Sequence, residues 1–362
     1  MSQKENDMLQ PVVTIGILGG GQLARMLALA ASRLGYKTHI YDPSSGSPAF
    51  KVACQQTVGS FDNYVLLQTF ANSIDVLTYE TENIPISTLE SLEDIVTIFP
   101  RKNALSISQD RLQEKKFFQS LNLKTAKFAS VKSFDHFTEA LSQIGVPSIL
   151  KTCREGYDGK GQLKIEDSTP EDAIRRHLTD KECILESLVN LDTELSVIVA
   201  RNTAGEVVSF DPGENLHKAG ILKSTTVPSK VTKSVQMDSV IIAGQIVNAL
   251  DYVGVMGVEF FVASGGGLLV NEIAPRVHNS GHWTQNGCSI DQFEQHIRAI
   301  IGSKLGNGER HSNVKMVNIL GDEINNCQDI TDAAIHIYGK DEVLPGRKMG
   351  HINYSSQKKN TL

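Results

Sequence analysis

An α/β region followed by α+β regions is the fold class this sequence predicts, and three observations predict it. Over the first hundred residues, strand-like and helix-like periodicities alternate and change places at glycines. From Ser148 to Ala274 strand-like runs dominate, interrupted by two helical stretches. Three short strand-like runs, 314–320, 333–338 and 348–354, close the chain.

The elements follow in order. Val12 to Leu18 is an apolar run ended by Gly19-Gly20-Gly21. Leu23, Met26, Leu27 and Ala30 then recur at helical spacing until Gly35. Thr38 to Tyr41, Val76 to Tyr79 and Ile95 to Phe99 are further strands, and strands separated by helices argue a parallel sheet. Past Pro100, Ser108 is expected to cap a helix carrying Leu112, Phe117 and Leu121, and Ser133 one carrying Phe134, Phe137 and Leu141. Thr169-Pro170-Glu171-Asp172 reads as a cap followed by proline at the first helical position. The last helix runs from about Ser234 to Tyr252. Leu195, Val197 and Val199 alternate with Glu194, Ser196 and Ile198 as in a half-buried strand. Boundaries near 105 and 305 divide the chain in three.

At 362 residues, with 40% hydrophobic and 21% charged residues, the chain is long enough for two or three cored domains. Lys+Arg 35 against Asp+Glu 41 leaves a charge of −6, the wrong sign for holding nucleic acid by bulk charge. Cys54, Cys153, Cys183, Cys288 and Cys327 form no C-x-x-C pair, so neither a disulfide scaffold nor a zinc ribbon is expected. The polar N-terminus and the lack of a membrane-length apolar run point to the cytoplasm, away from any membrane.

Three glycine clusters carry the chemistry. The first, Gly19-Gly20-Gly21-Gln22-Leu23-Ala24, is a G-x-G-x-x-A turn between strand and helix, with Asp42 after the next strand. Taken alone it is as consistent with a nicotinamide or flavin site as with any tight strand-to-helix turn. The second, Gly156 to Gln162 after Lys151, offers free amides and a lysine for phosphate, or else a solvated hairpin. The third is Gly265-Gly266. As a two-residue turn it pairs Ser264 with Gly267 and sets Glu259 opposite Glu272, with Cβ atoms roughly 5 Å apart. Two like charges there call for a hard cation such as magnesium, a shared proton, or a different register. Asn271 falls on the other face in ideal pleating. His278 and His282 sit at i, i+4 without supporting cysteines, which favours substrate contacts or core roles over zinc. Cys153 reads as packing.

Six segments together resemble the ATP-grasp ligases, and within them the N5-carboxyaminoimidazole ribonucleotide synthetases. They are Gly19 to Leu23, Glu80 to Pro85, Gly156 to Gln162, Glu214 to Leu222, Asn271 to Gln285 and Pro345 to His351. The resemblance covers nearly the whole chain, and the run from Asn271 to Gln285 is its most specific part. It implies a Rossmann-like N-terminal domain (1–105), a central ATP-grasp domain (106–305) and a small β-rich C-terminal domain (306–362). The implied reaction is ATP-dependent carboxylation of 5-aminoimidazole ribonucleotide by bicarbonate in purine synthesis, through carboxyphosphate. Another ATP-grasp carboxylate–amine ligase is the alternative.

Carried over position by position, the ATP contacts are Arg111, Lys151, Gly156, Tyr157, Asp158, Gly159, Lys160, Gly161, Gln162, Glu186, Ser187, Leu188, Val189, Glu194, His217, Asn271 and Glu272. Magnesium falls to Glu259 and Glu272. The ribonucleotide falls to Gly21, Gln22, Glu82, Arg276, His278, Lys340 and Arg347, with Tyr157 beside it. Tyr157, Lys160 and Asp158 are the catalytic assignments, Asp158 being either a base or only a turn cap. Leu344 stands where the family often has arginine, and Asp211-Pro212-Gly213 departs from the usual lead into Glu214. A homodimer whose product passes to a mutase is also implied.

Overall fold

A computed structural model describes residues 13–154, 156, 161–179 and 181–357. The N-terminal part is β1 (Thr14–Leu18), α1 (Gln22–Arg33), β2 (Lys37–Asp42), β3 (Gln55–Val58), α2 (Tyr64–Ala71), β4 (Val76–Tyr79), α3 (Ile86–Glu90) and β5 (Thr97–Ile98). Its strands pair in parallel in the order β3-β2-β1-β4-β5, which is doubly wound about β1. Helix α1 packs on one face of this sheet, its Leu23, Leu27, Ala30 and Ala31 sharing one core with Ile15 and Ile17.

Next come α4 (Lys102–Ser108) and α5 (Arg111–Ser120). Ser108 is thus the last residue of one helix. The cap of the next is Asp110, whose carboxylate accepts from Leu112 N and Gln113 N at 3.1 Å each. Two polar residues within three positions could each start the helix, and the carboxylate, which reaches two amides, does so. Strand β6 (Phe128–Val131), α6 (Phe134–Ile144), β7 (Ser148–Thr152), β8 (Gln162–Ile165), α7 (Glu171–Leu178) and β9 (Cys183–Ser187) follow. They build a four-stranded antiparallel sheet, β6-β9-β7-β8, and Ser133 caps α6 as expected. At α7 the cap position itself is Pro170. The Thr169 hydroxyl accepts from Glu166 N instead, so the proline falls one residue before its expected place.

The large sheet begins with β10 (Leu191–Arg201), β11 (Val207–Ser209), β12 (Gly213–Lys218) and β13 (Ile221–Val227). It continues past α8 (Lys233–Ala249) with β14 (Gly254–Ala263) and β15 (Gly267–Ala274). After α9 (Thr284–Gly287) and α10 (Gln292–Ile300) it closes with β16 (Ser312–Leu320), β17 (Ala334–Ile337) and β18 (Lys348–Gln357). Strand order is β15-β14-β10-β12-β13-β16-β18-β17, so the terminal strands extend the central sheet through β13 and β16. Strand β10 is buried on both faces, correcting the half-buried reading. Val197 and Val199 face the core under α8, while Ile198 and Ala200 face the core under α10. That second core includes α1, so the parallel sheet and the large sheet share apolar packing. Among the described residues, no helix is long and apolar enough to cross a membrane.

Candidate active site

The β14–β15 hairpin opposes Glu259 and Glu272, although not by the expected route. Gly265 and Gly266 take φ of +97° and +86°, and Gly266 N donates to Ala263 O at 2.8 Å. Pairing starts at Ala263 with Gly267, so the loop is one residue longer than a two-residue turn. Unbroken, that register would set Glu259 against Asn271. A bulge between Val270 and Glu272 shifts it by one and restores Glu259 opposite Glu272. The extra residue of the bulge is Asn271, which gives it the departure from ideal pleating that sharing a ligand with Glu272 requires.

Among the described residues neither glutamate accepts a hydrogen bond, and the nearest ring nitrogen, His278 Nε2, lies 3.6 Å from Glu259 Oε1. Burial and the neighbouring Arg276 charge hold His278 neutral, so it brings no positive charge to the pair. Burial and the facing Glu272 push the Glu259 carboxyl above its ordinary range. Two facing carboxylates form an all-oxygen donor pair of the kind a magnesium ion takes beside phosphates. The residues present therefore fit that ion. His282 is fully buried against Phe293, its Nδ1 2.9 Å from Gln292 Nε2, and belongs to the core.

The residues expected to hold ATP fall on the two antiparallel sheets. On β10, Glu194 is 2.5 Å from His217 Nδ1 on β12, and although burial opposes charge, that contact raises the His217 pKa. Lys151, near the end of β7, donates to Glu186 Oε2 of β9 at 2.8 Å. Ser187 N and Leu188 N bond to Lys127 O and Pro147 O, which fixes the chain where β9 ends, just before Val189. Arg111 Nη1 and Nη2 donate to Thr152 O and Gly156 O at 3.2 and 2.9 Å, holding the start of the glycine loop. Gly161, at φ +71°, closes that loop into Gln162, and a Cβ there would meet Thr152 Oγ1 at 2.7 Å. Tyr157, Asp158, Gly159 and Lys160 lie outside the described residues.

The first glycine turn is filled by the protein itself. Gly20 N donates to Asp42 Oδ2 at 2.6 Å, and Gly21 N and Ala24 N donate to Glu80 at 3.1 and 3.4 Å. A Cβ on Gly20 would lie 2.6 Å from Ser47 Cβ, and one on Gly21 2.8 Å from Glu80 Oε1. These glycines admit the chain's own carboxylates, and the amides a dinucleotide pyrophosphate would need are taken. Gln22 begins α1 beside them. Glu82, two residues beyond Glu80, pairs with Arg276 at 2.6 Å. Arg276 feels the charges of Glu82, Glu80 and Glu272, so this corner adjoins the glutamate pair. Lys340 Nζ donates to Lys348 O at 2.8 Å, and burial together with Arg347 lowers it to about 8. Arg347 Nη1 donates to Glu342 O at 3.0 Å.

Sequence reasoning passed over Glu114 and Lys115, and gave Asp42 and Glu80 no role in filling the glycine turn. Glu80 and Asp42 were visible as strand-end acids near the glycine turn. Glu114 and Lys115, adjacent charged residues on α5, are both buried.

Comparison with known proteins identifies the family. Family profiles match residues 12–109 (ribonucleotide synthetase preATP-grasp domain), 116–293 (ATP-grasp domain) and 315–362 (phosphoribosylaminoimidazole carboxylase C-terminal domain). The N5-carboxyaminoimidazole ribonucleotide synthase of Brucella melitensis is 46% identical over 349 residues, covering 95% of this chain and 96% of that one. An ADP complex of an N5-carboxyaminoimidazole ribonucleotide synthetase superposes with a TM-score of 0.94 at 40% identity, covering 97% and 94% of the two chains. The Aspergillus clavatus synthase, in complex with ADP and 5-aminoimidazole ribonucleotide, gives 0.90 at 29% identity, with 96% and 95% covered. The chain belongs to the N5-carboxyaminoimidazole ribonucleotide synthase family of ATP-grasp enzymes.

Proposed function

We infer that this chain is an ATP-dependent ligase of purine biosynthesis that carboxylates 5-aminoimidazole ribonucleotide with bicarbonate. The products are N5-carboxyaminoimidazole ribonucleotide, ADP and phosphate. One observation carries the reading: only three residues separate Glu272, of the opposed acid pair, from Arg276, which is clasped to Glu82 beside the first glycine turn. A phosphoryl-transfer centre and an anion-binding corner thus share one stretch of chain.

Bicarbonate is a poor electrophile. Attack of its oxygen on the γ-phosphorus releases ADP and leaves carboxyphosphate, and attack of the substrate amine on that carbon then releases phosphate. Catalysis is mainly positioning and charge stabilisation. Magnesium held by Glu259, Glu272 and Asn271 would offset charge on the transferred phosphoryl group. Glu194, oriented by His217, would accept from the ribose hydroxyls, while the backbone of Glu186 to Val189 edges the adenine. Lys151, Arg111 and the loop from Gly156 to Gln162 hold the phosphates, with Lys160 as a further cation. Tyr157 and Asp158 would meet the amine. Arg276, Lys340 and Arg347 form the cationic edge suited to the ribonucleotide phosphate, with Glu82, Gly21, Gln22 and His278 around it. The resemblance also supports a cytoplasmic homodimer that hands its product to a mutase.

An ADP-release assay with ATP, bicarbonate and 5-aminoimidazole ribonucleotide omitted in turn tests this. The expected result is turnover only with all three. Turnover with a different acid and amine, and none with these, would overturn the assignment.

A further inference from the structure

Two charged residues of α5 sit where unpaired charges would be costly. Glu114 is 3% exposed and Lys115 2%, and polar groups so buried cost free energy unless partners in the fold satisfy them. Their partners are backbone groups on either side of Glu272. Glu114 Oε1 accepts from Ile273 N at 2.8 Å, and Lys115 Nζ donates to Asn271 O at 2.7 Å. These two residues flank Glu272. A bulge leaves its extra residue, Asn271, without a ladder partner, and here Lys115 supplies a bond to its carbonyl. Lys115 Nζ also lies 3.8 Å from Glu186 Oε1, whose other oxygen takes Lys151. The same ten-residue helix carries Arg111, which holds Thr152 O and Gly156 O.

We propose that Glu114 and Lys115 are positioning residues for phosphoryl transfer, setting the backbone on either side of Glu272 and tying it to the adenine-side residue Glu186. Neither touches the reacting atoms. The bonds they make fix where the Glu272 carboxylate stands relative to Glu259, and Lys115 makes the nucleotide wall and the acid pair move as one. The inference rests on the phosphoryl-transfer reading of the acid pair.

The test uses the full chain and the variants Glu114→Ala, Glu114→Gln and Lys115→Met. It reads the magnesium activation constant, the KM values, and ADP affinity by calorimetry with and without magnesium. Glu114→Ala is expected to raise the magnesium constant and weaken magnesium-dependent ADP binding about tenfold or more, as loss of a residue orienting a ligand does. ADP binding without metal should stay unchanged. The KM for the ribonucleotide should stay within about twofold, since uniform binding there is untouched. Glu114→Gln keeps an oxygen for Ile273 N and is expected to recover most of the loss. Lys115→Met should weaken ADP binding both with and without magnesium. Lower melting temperatures with unchanged magnesium and ADP constants would reduce both residues to fold support and overturn the proposal, as would Glu114→Gln behaving like alanine. If Glu114→Ala does not fold, Lys115→Met decides on the same constants. A wild-type chain that binds magnesium and ADP but fails to turn over the three substrates would sink the functional reading while leaving this one standing.

Discussion

Asp42 and Glu80 meet at the first glycine turn, and Glu259 and Glu272 meet across the last glycine hairpin. Both are acid pairs assembled by glycine-bearing turns, and their surroundings differ in one respect. The first pair takes backbone amides from Gly20, Gly21 and Ala24 at 2.6 to 3.4 Å. The second pair, among the described residues, accepts none. Acids with their own donors complete a turn, whereas acids facing each other without such donors form a site suited to a cation. A glycine motif alone therefore says little about function until it is known which groups fill it.

The sharpest way to break this contrast is Glu272→Gln. If the hairpin pair holds the catalytic metal, ADP-forming turnover should fall by about 10²–10³, the usual cost of losing one charge-stabilising group. Stability should hold or rise, because the facing charge on Glu259 is relieved. The pH dependence carries the same sign. A carboxyl whose folded pKa is raised, as burial and Glu272 raise that of Glu259, favours folding at low pH. Metal-free protein should thus lose stability as pH climbs above the ordinary glutamate range, and added magnesium should restore it in the wild type only. Thermal melts across pH with and without magnesium check both claims.

The mirror experiment on the first pair is Glu80→Ala. It strands two amides at the start of α1 and should cost about 1–3 kcal/mol of stability by denaturant unfolding. The KM for ATP should not move, and no nicotinamide cofactor should bind. A shift in nucleotide binding with no loss of stability would erase the distinction between the two pairs.

How far the sequence carried these conclusions differs between the same two regions. Strand, glycine turn and helix at residues 14–33 were legible because local periodicity and punctuation suffice there. The opposition of Glu259 and Glu272 was legible too, but through two departures that cancel: a turn one residue longer than expected and a bulge at Asn271. Nothing local announces a bulge held by Lys115, whose partner Asn271 is 156 residues away. The plugging of the first turn was hidden likewise, since Asp42 in that place is also what a dinucleotide site displays. Strand β10 looked half-buried because alternation of Ser196 and Glu194 with apolar residues cannot reveal a second covering layer.

The cationic corner beyond Arg276 allows a finer test. Burial and Arg347 lower Lys340 to about 8, so its charge is present below that pH and lost above it. kcat/KM for the ribonucleotide, which reports the free enzyme, should decline as pH rises through about 8, while kcat/KM for ATP shows no matching step. Lys340→Arg keeps the charge at every accessible pH and should remove the inflection. An unchanged inflection in that variant would take Lys340 out of the phosphate site.

The smallest effect is expected from Leu344→Arg, which restores the cation that the family often carries before Pro345. Leu344 is 49% exposed, so an added guanidinium there stays largely solvated, and exposed charges contribute little. The KM for the ribonucleotide should drop by about twofold or less and return to the wild-type value near 1 M salt, where the Debye length is about 3 Å. A larger drop that survives salt would mean the new side chain reaches the substrate phosphate directly. The anion-binding corner would then extend past Arg347 to the loop before Pro345, and Arg276 and Lys340 would carry a smaller share of that recognition than their burial implies.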